Sequence, residues 1–314
     1  MNGDAAPREP IAAAELHASV AAFEAERPRL TGLAYRMLGS VADAEDVVSE
    51  AWVRFQRADP TTVERPAAWL TTVTSRLAID RLRSQSSRRE DYVGPWLPDA
   101  VITWSSPRVG GPAEVEGPEQ RAELSESLTL GFLVVLDRLG PVERAVFLLA
   151  DVFGEPFSEI SRAVGKSEQA CRQIASRARR RVREERADRS AADEELLAGL
   201  VGALALGDVQ ALLDMLSPDV VLTSDGGPDR HAARRPVIGP DKVIRLLLNL
   251  TGRVPEGVAM EIRSVNAAPA LVVHHPDGPI VVSADRTDDG RVAAVRVQLN
   301  PDKLTALDGP FPAI

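Results

Sequence analysis

The run Glu155-Pro-Phe-Ser-Glu-Ile-Ser-Arg-Ala-Val-Gly-Lys-Ser-Glu-Gln-Ala-Cys-Arg-Gln-Ile-Ala-Ser-Arg-Ala-Arg-Arg-Arg-Val-Arg183 decides how this chain is read. Phe157, Ile160, Ala163 and Val164 recur at three- and four-residue spacing, which predicts a short amphipathic helix with one buried stripe. Gly165 ends it. Ser167 then offers its hydroxyl as the N-cap of a second helix, with Glu168 in the first turn, where the helix dipole favours an acid. The apolar residues of that second helix are few and small (Ala170, Cys171, Ile174, Ala175, Ala178), while Arg172, Arg177, Arg179, Arg180, Arg181, Arg183 and Arg186 crowd its length. A helix that packs on one narrow stripe and shows arginine elsewhere suits a groove lined by phosphates. Two helices joined by a three-residue turn containing glycine make a helix-turn-helix, whose second helix enters the DNA major groove. From this stretch alone the alternative is a solvated basic helix.

Outward from that stretch, 314 residues are enough for two or three domains of about 100–200 residues each. The net charge of −9 argues against nucleic acid only as a sum, and distribution matters more. Residues 162–186 carry nine Arg or Lys against three acids, and residues 65–89 carry six Arg against one, so two basic islands sit in an acidic chain. The single cysteine, Cys171, excludes an intrachain disulfide and points to a reducing cytoplasm; its place on the inner stripe makes it a small core residue. No apolar run approaches the roughly 18 residues of a membrane span, and a start bearing Asp4, Glu9 and Glu15 is not a secretory signal. A cytoplasmic protein with no membrane partner is expected.

Residues 17–39 alternate apolar and charged positions at helical spacing up to Gly39-Ser40. In the next helix, Val41–Gln56, Val41, Ala44, Val48, Ala51, Trp52 and Phe55 fall on one side and Asp43, Asp46, Glu50 and Arg54 on the other. Asp59-Pro60 breaks it. Pro66 opens a helix to about Arg83, with Trp69, Val73 and Leu77 inside, Arg76, Asp80 and Arg83 outside, and Arg88-Arg89 behind. A basic helix after a proline-bounded loop suits single-stranded nucleic acid; a solvated charged face is the alternative reading of both helices. Residues 91–119 shift to Pro, Gly and Ser and read as a linker, yet Tyr92-Val-Gly-Pro-Trp96-Leu-Pro98 is too apolar for a spacer. It is either a docking segment or a loop tucked against its own domain. Helical pattern resumes at Arg121–Leu139, stops at Gly140-Pro141, and continues through Val142–Phe153.

After Arg189 the character changes. Ser190 with Asp193 resembles a capping box ahead of an apolar helix through Leu204, and a short helix Val209–Leu216 ends at Ser217-Pro218. Strand patterns follow at Val220–Thr223, Val258–Val265, Ala270–His274, Ile280–Ala284 and Val292–Leu299, with a helix Asp241–Leu250 after the first. Turns at Pro276-Asp-Gly278 and Asp288-Asp-Gly290 predict antiparallel hairpins, and hence an α+β domain with helices on one face of a curved sheet.

Laid out in this order, the chain resembles the bacterial extracytoplasmic-function (ECF) sigma factors that carry a C-terminal SnoaL-like domain. Residues 43–55 look like the helix that grips the clamp helices of the RNA polymerase β′ subunit. Residues 65–83 look like the segment that recognises and melts the minus-ten promoter element, and residues 139–183 like the domain that reads the minus-thirty-five element. Trp96-Leu-Pro-Asp-Ala is similar to the group's linker motif and Asn300-Pro-Asp-Lys-Leu304 to its tail motif. Ser224-Asp-Gly-Gly-Pro-Asp-Arg230 resembles a glycine-rich loop of the group but departs after the second glycine. The implied fold is multidomain: two all-α sigma domains, the second a helix-turn-helix, followed by an α+β SnoaL/NTF2-like cone. The implied boundaries are 17–90, a linker 91–118, 119–187 and 190–308.

The resemblance implies a sigma factor and not an enzyme, with core polymerase and promoter DNA as partners and no cofactor or metal. Asp46, Glu50 and Arg54 would face polymerase; Arg76, Asp80, Arg81 and Arg83 would serve the opened minus-ten strand. On the recognition helix Gln169, Arg172 and Gln173 are candidates for base edges, and Ser176, Arg177 and Arg180 for phosphates. Trp96, Leu97 and Pro98, with Asp225, Asn300, Asp302 and Lys303, would form a regulatory contact through which the tail controls the factor in cis. The alternative makes the tail a sensor of an unknown small molecule, or a residual isomerase or cyclase drawing on Asp225, His231, His274 and His275. An ordinary DNA-binding repressor would need no melting segment.

Overall fold

The computed structural model describes residues 9–58, 63–90, 92–103, 124–186 and 189–307, with no side-chain description for 9–18 and 86–90. Asp4, the Asp59-Pro60 break, the side chains of Glu9, Glu15, Arg88 and Arg89, the linker after Thr103 and Arg121 therefore lie outside the described residues.

Helices α1 (Glu9–Leu38), α2 (Val41–Arg57) and α3 (Pro66–Glu90) form the first helical unit. Ser40 caps α2 by accepting from Asp43 N at 3.4 Å, and the predicted stripe of Ala44, Val48, Ala51 and Phe55 is buried, joined by Val47. Rings stack along its inner side: Phe23 lies 4.7 Å from Trp52, and Phe55 lies 5.6 Å from Trp69. Helix α3 runs seven residues past the expected end at Arg83, because Ser84–Glu90 contains neither Gly nor Pro to stop it.

The second unit comprises α4 (Leu130–Leu136), α5 (Pro141–Phe147), a π-helical turn (Leu148–Val152), α6 (Phe157–Val164) and α7 (Glu168–Arg186). The single helix expected over Arg121–Leu139 is interrupted, since Thr129 Oγ1 accepts from Phe132 N and starts α4 afresh. The helix-turn-helix is as expected. Gly165 N donates to Ser161 O and closes α6, and Ser167 Oγ accepts from Ala170 N at 3.2 Å to open α7. Cys171, Ile174, Ala175, Ala178 and Val182 of α7 are buried together with Ile160 and Ala163 of α6. Burial raises the Cys171 thiol above its ordinary value, in keeping with a core residue.

One hydrophobic core runs through both helical units. Arginines cross between them. Arg36 Nε donates to Ser127 Oγ and its Nη2 to Leu124 O, each at 2.8 Å; Arg144 Nη1 donates to Met37 O at 2.6 Å. Burial pulls Arg36 down to about 10, which leaves it charged at neutral pH.

The C-terminal unit holds β1 (Arg189–Ala191), α8 (Glu194–Leu206), α9 (Val209–Met215), β2 (Leu216–Asp225), β3 (Val237–Ile238), α10 (Pro240–Thr251), β4 (Met260–Val265), β5 (Ala268–Val273), β6 (Ile280–Thr287) and β7 (Val292–Gln298). The sheet order is β3-β2-β7-β6-β5-β4, with β1 paired to β6. Strands β4 to β7 form the predicted antiparallel meander, whereas β2 lies parallel to β7 with Leu222 opposite Val295. Ser190 is not part of a cap: it pairs with Arg286 in β1, and Asp193 alone caps α8 by accepting from Leu196 N. Three residues are too short a run for a strand pattern to show. Side chains alternate across a sheet, so Leu222, Val295 and Val297 pack with α8–α10, while Ala270, Val272 and Val281 pack with linker residues Ala100 and Ile102 and tail residues Leu304 and Leu307.

Candidate functional site

All six residues assigned to DNA on α7, namely Gln169, Arg172, Gln173, Ser176, Arg177 and Arg180, are exposed. Arg172 is steadied by Glu168, 2.8 Å away, and by the ring of Phe157, 5.1 Å from its guanidinium. Other arginines of α7 are internal ties. Arg179 pairs with Asp151 at 2.5 Å, Arg181 with Glu143 at 3.1 Å and Arg186 with Glu126 at 2.6 Å. The helix thus divides its cations between holding its own domain and facing outward.

In the first unit, Glu50 and Arg54 form an exposed i,i+4 pair at 2.6 Å. Asp46 is exposed and lies 3.1 Å from Arg81, which also grips Asp43. Asp80 and Arg83 pair at 3.1 Å on the surface. Arg76 is engaged: its Nε and Nη2 donate to the carbonyls of Ala163 and Arg162, at 3.2 and 2.5 Å, at the C-terminal end of α6. Arg65 pairs with Glu159 at 2.7 Å and Arg29 with Glu155 at 3.1 Å. The side of α3 read as facing a melted strand is therefore partly covered by the helix-turn-helix.

The linker, loop and tail residues converge on Asp225. Its Oδ1 accepts from Tyr92 Oη at 2.6 Å and from Gly227 N at 3.0 Å; its Oδ2 accepts from Leu97 N at 2.8 Å and from Lys303 Nζ at 2.7 Å. Lys303 also donates to Leu97 O at 2.7 Å, and it sits under the rings of Trp96 and Tyr92 at 4.3 and 4.6 Å. Asn300 Nδ2 donates to Tyr92 Oη at 2.9 Å, and Gln298 Nε2 to Pro98 O at 3.0 Å. Asp302 keeps its side chain in solvent and contributes its N–H to Asn300 Oδ1. A buried charge is tolerated when it is paired and its remaining sites are hydrogen-bonded, as here. The Tyr92–Pro98 segment is thus docked on the C-terminal unit.

That docking reaches the first helical unit through Asp99, Tyr35 and Asn266, none of which is among the expected contact residues. Asp99 Oδ2 accepts from Val41 N at 2.8 Å, and Asp99 O accepts from Tyr35 Oη at 2.6 Å. Asn266, in the β4–β5 turn at φ 51°, donates from Nδ2 to Tyr35 Oη at 2.7 Å and exchanges two bonds with the backbone of Val101. Thr103 N donates to Ser264 O, so the linker covers the edge of β4. Gly39, at φ 68°, leaves room for the Trp96 ring; a Cβ there would stand 2.5 Å from it. Asp99 is pushed up to about 6, chiefly by burial. The available signal was thin: Asp99 lies inside the linker motif and Tyr92 just before it, and Asn266 occupies a turn between two strand patterns.

The groups named for acid–base chemistry are not brought together. Asp225 is committed to the linker, His231 is exposed, His274 lies 3.0 Å from Glu261 on the surface, and His275 lies beside Asp277. Among the described residues there is no group of three metal-ligating side chains, and no helix is long and apolar enough to cross a membrane.

Residues 22–88 match the family Sigma-70 region 2, and residues 131–182 match Sigma-70, region 4. The chain is 39% identical over 300 residues to the ECF RNA polymerase sigma factor SigJ of Mycobacterium tuberculosis, covering 91% of this chain and 93% of that protein. It is 32% identical over 294 residues to the probable ECF RNA polymerase sigma factor SigI of the same species, covering 91% and 95%. The crystal structure of M. tuberculosis SigJ superposes with a TM-score of 0.72 at 37% identity, covering 91% of this chain and 98% of that one.

Proposed function

The chain belongs to the ECF RNA polymerase sigma factors and directs promoter-specific transcription initiation, and from that premise we propose that its C-terminal domain regulates the factor in cis by holding the two sigma domains closed. The observation that carries the reading is the anchoring of the Tyr92–Thr103 linker on Asp225, Lys303 and Asn266, with the same linker bonded to α1 and α2.

A sigma factor must reach two promoter elements about 25 base pairs apart, on the order of 80 Å at 3.4 Å per pair. Domains that share one core and are bridged by Arg36, Arg144 and Arg76 cannot span that distance. Freeing residues 92–103 would add roughly 40 Å of reach, from the span of an extended chain. Two arrangements with different affinity for polymerase are what such regulation requires. In the open one, Asp46, Glu50 and Arg54 meet the β′ clamp helices, Arg76, Asp80, Arg81 and Arg83 follow the minus-ten strand, and α7 reads the minus-thirty-five element.

Run-off transcription with core polymerase on a promoter library tests this, comparing wild type with Asp225→Ala and with residues 1–189. At limiting factor, Asp225→Ala is expected to raise promoter output. Unchanged output at every polymerase concentration overturns the regulatory reading.

A further inference from the structure

The face of the C-terminal sheet turned to α8–α10 is filled with apolar side chains, among them Val220, Leu222, Val295 and Val297. The opposite face is different. There, between β2, β6 and β7 and the helix-turn-helix domain, lies a cavity of about 230 Å³. Its floor is an ion pair, Arg296 Nη2 to Asp285 Oδ2 at 2.7 Å. Its roof is α4, where Gly131 brings bare backbone onto the Asp285 carboxylate; a Cβ at 131 would stand 2.7 Å from both oxygens.

Four arginines line the cavity, Arg138, Arg186, Arg189 and Arg296, against two acids, Glu185 and Asp285. Arg186 and Arg189 have carboxylate partners outside it, Glu126 and Asp219. Arg296 does not have enough. Its side chain is only 10% exposed, and Nη1 is buried with no hydrogen-bond partner among the described residues while Nη2 holds Asp285. Leaving such a donor unsatisfied costs on the order of 1–3 kcal/mol, more for a charged group. Arg138 stands exposed at the rim, with no ion-pair partner among the described residues.

We infer that this cavity is a binding site for a small oxyanion, a carboxylate or a phosphate, which accepts from the Arg296 guanidinium and is drawn in by Arg138. Guanidinium groups suit planar and tetrahedral oxyanions because their N–H donors form a rigid fork. The volume lies below the roughly 300–1,000 Å³ of sites for drug-sized ligands, which restricts the occupant to a small acid or phosphate. Arg296 belongs to the sheet and Arg138 to the helix-turn-helix domain, so a bound anion touches both. Binding itself is independent of the regulatory reading. The consequence that the anion strengthens the closed state rests on it.

The test is calorimetric titration of the full chain with sodium phosphate and, separately, sodium succinate, against sodium chloride at matched ionic strength. Wild type, Arg296→Lys and Arg138→Ala are compared. Lysine at 296 keeps a cation for Asp285 but has no second nitrogen for the anion, so the fold is retained and the site is not. Saturable binding of either anion is expected, weakened about tenfold by Arg296→Lys, which corresponds to about 1.4 kcal/mol, and severalfold by Arg138→Ala. Which anion binds identifies the source. Absence of saturable binding overturns the proposal, and so does equal affinity in Arg296→Lys, which would put the ion on the exposed arginines of α7. If Arg296→Lys fails to fold, unchanged affinity in Arg138→Ala overturns it. Binding that leaves promoter output unchanged supports the site and counts against the regulatory reading alone.

Discussion

Lys303 Nζ lies 2.7 Å from Asp225 Oδ2, and both groups also hold Leu97, one by its carbonyl and the other by its N–H. The pair is buried, and its side-chain bonds reach the linker, the glycine loop and two aromatic rings. Removing one partner strands the other. Asp225→Ala is expected to cost about 3–5 kcal/mol, the range for breaking a buried pair. Lys303→Ala should cost a similar amount, and the double variant clearly less than the sum, because the two share their partners. Denaturant unfolding of the four proteins checks this; simple additivity would show that the pair is not a unit.

Tyr35 connects the anchor to the first helix. Its hydroxyl donates to Asp99 O and accepts from Asn266 Nδ2, with all three residues buried. Tyr35→Phe leaves the ring in the core and orphans a buried amide N–H, at a cost on the order of 1–3 kcal/mol. Hydrogen exchange should then quicken at Val41 and Val101, which meet Asp99 and Asn266, and stay unchanged within β6 and β7. Uniform quickening along the whole chain would mean that the hydroxyl supports the global fold instead.

The stripe of α2, the helix-turn-helix and the strand meander were legible because each depends on residues close in sequence. Side-chain period, a glycine stop and a serine cap are local facts, and the structure keeps them. The Asp225 cluster was legible only through resemblance, since no spacing rule joins residues 97, 225 and 303. Asn266 and Tyr35 are 231 positions apart, and neither residue type announces an interface. Arg36, Arg76, Arg144 and Arg296 mislead in a different manner. A charge on an amphipathic pattern reads as solvated, yet each of these guanidiniums ends on a backbone carbonyl or a buried carboxylate supplied by a distant segment. Packing of the two sigma domains against each other was invisible for the same reason.

Asp99 gives the stability of the fold a dependence on pH. Its carboxyl is pushed up to about 6 mainly by burial, with Asp43 and Asp225 adding to the rise and the Val41 N–H and Lys303 opposing it. An acid whose pKa is raised on folding holds its proton more tightly when folded. Its contribution is therefore complete below about pH 4, falls as pH rises through about 6, and is flat above. The amount is about 2–3 kcal/mol, from 1.36 kcal/mol for each pH unit between the two pKa values. Asp99→Asn keeps an oxygen to accept from Val41 N and removes the titration. Its unfolding free energy should be flatter than that of wild type between pH 4 and 6 and higher at pH 7. Parallel profiles for the two proteins would exclude Asp99 as the source.

The division of the α7 arginines between those tied to acids of their own domain and those left facing outward makes a prediction about DNA. Gln169, Arg172 and Gln173 lie in its first turns, where a recognition helix meets base edges, and each good bidentate contact discriminates by about 1–3 kcal/mol. Alanine at any of them should relax sequence preference at one position of the minus-thirty-five element. Arg177 and Arg180, exposed one and two turns later, should weaken binding equally on all sequences and lower the slope of log affinity against log salt by about 1 each. Arg179 is the internal control. It is committed to Asp151, so Arg179→Ala should lower stability by no more than about 1 kcal/mol, as for a half-exposed pair, and leave the salt slope alone. Fluorescence anisotropy on specific and scrambled duplexes at several salt concentrations separates these behaviours. If Arg179→Ala changes the salt slope as much as Arg177→Ala does, the helix presents a different face to DNA from the one assigned to it.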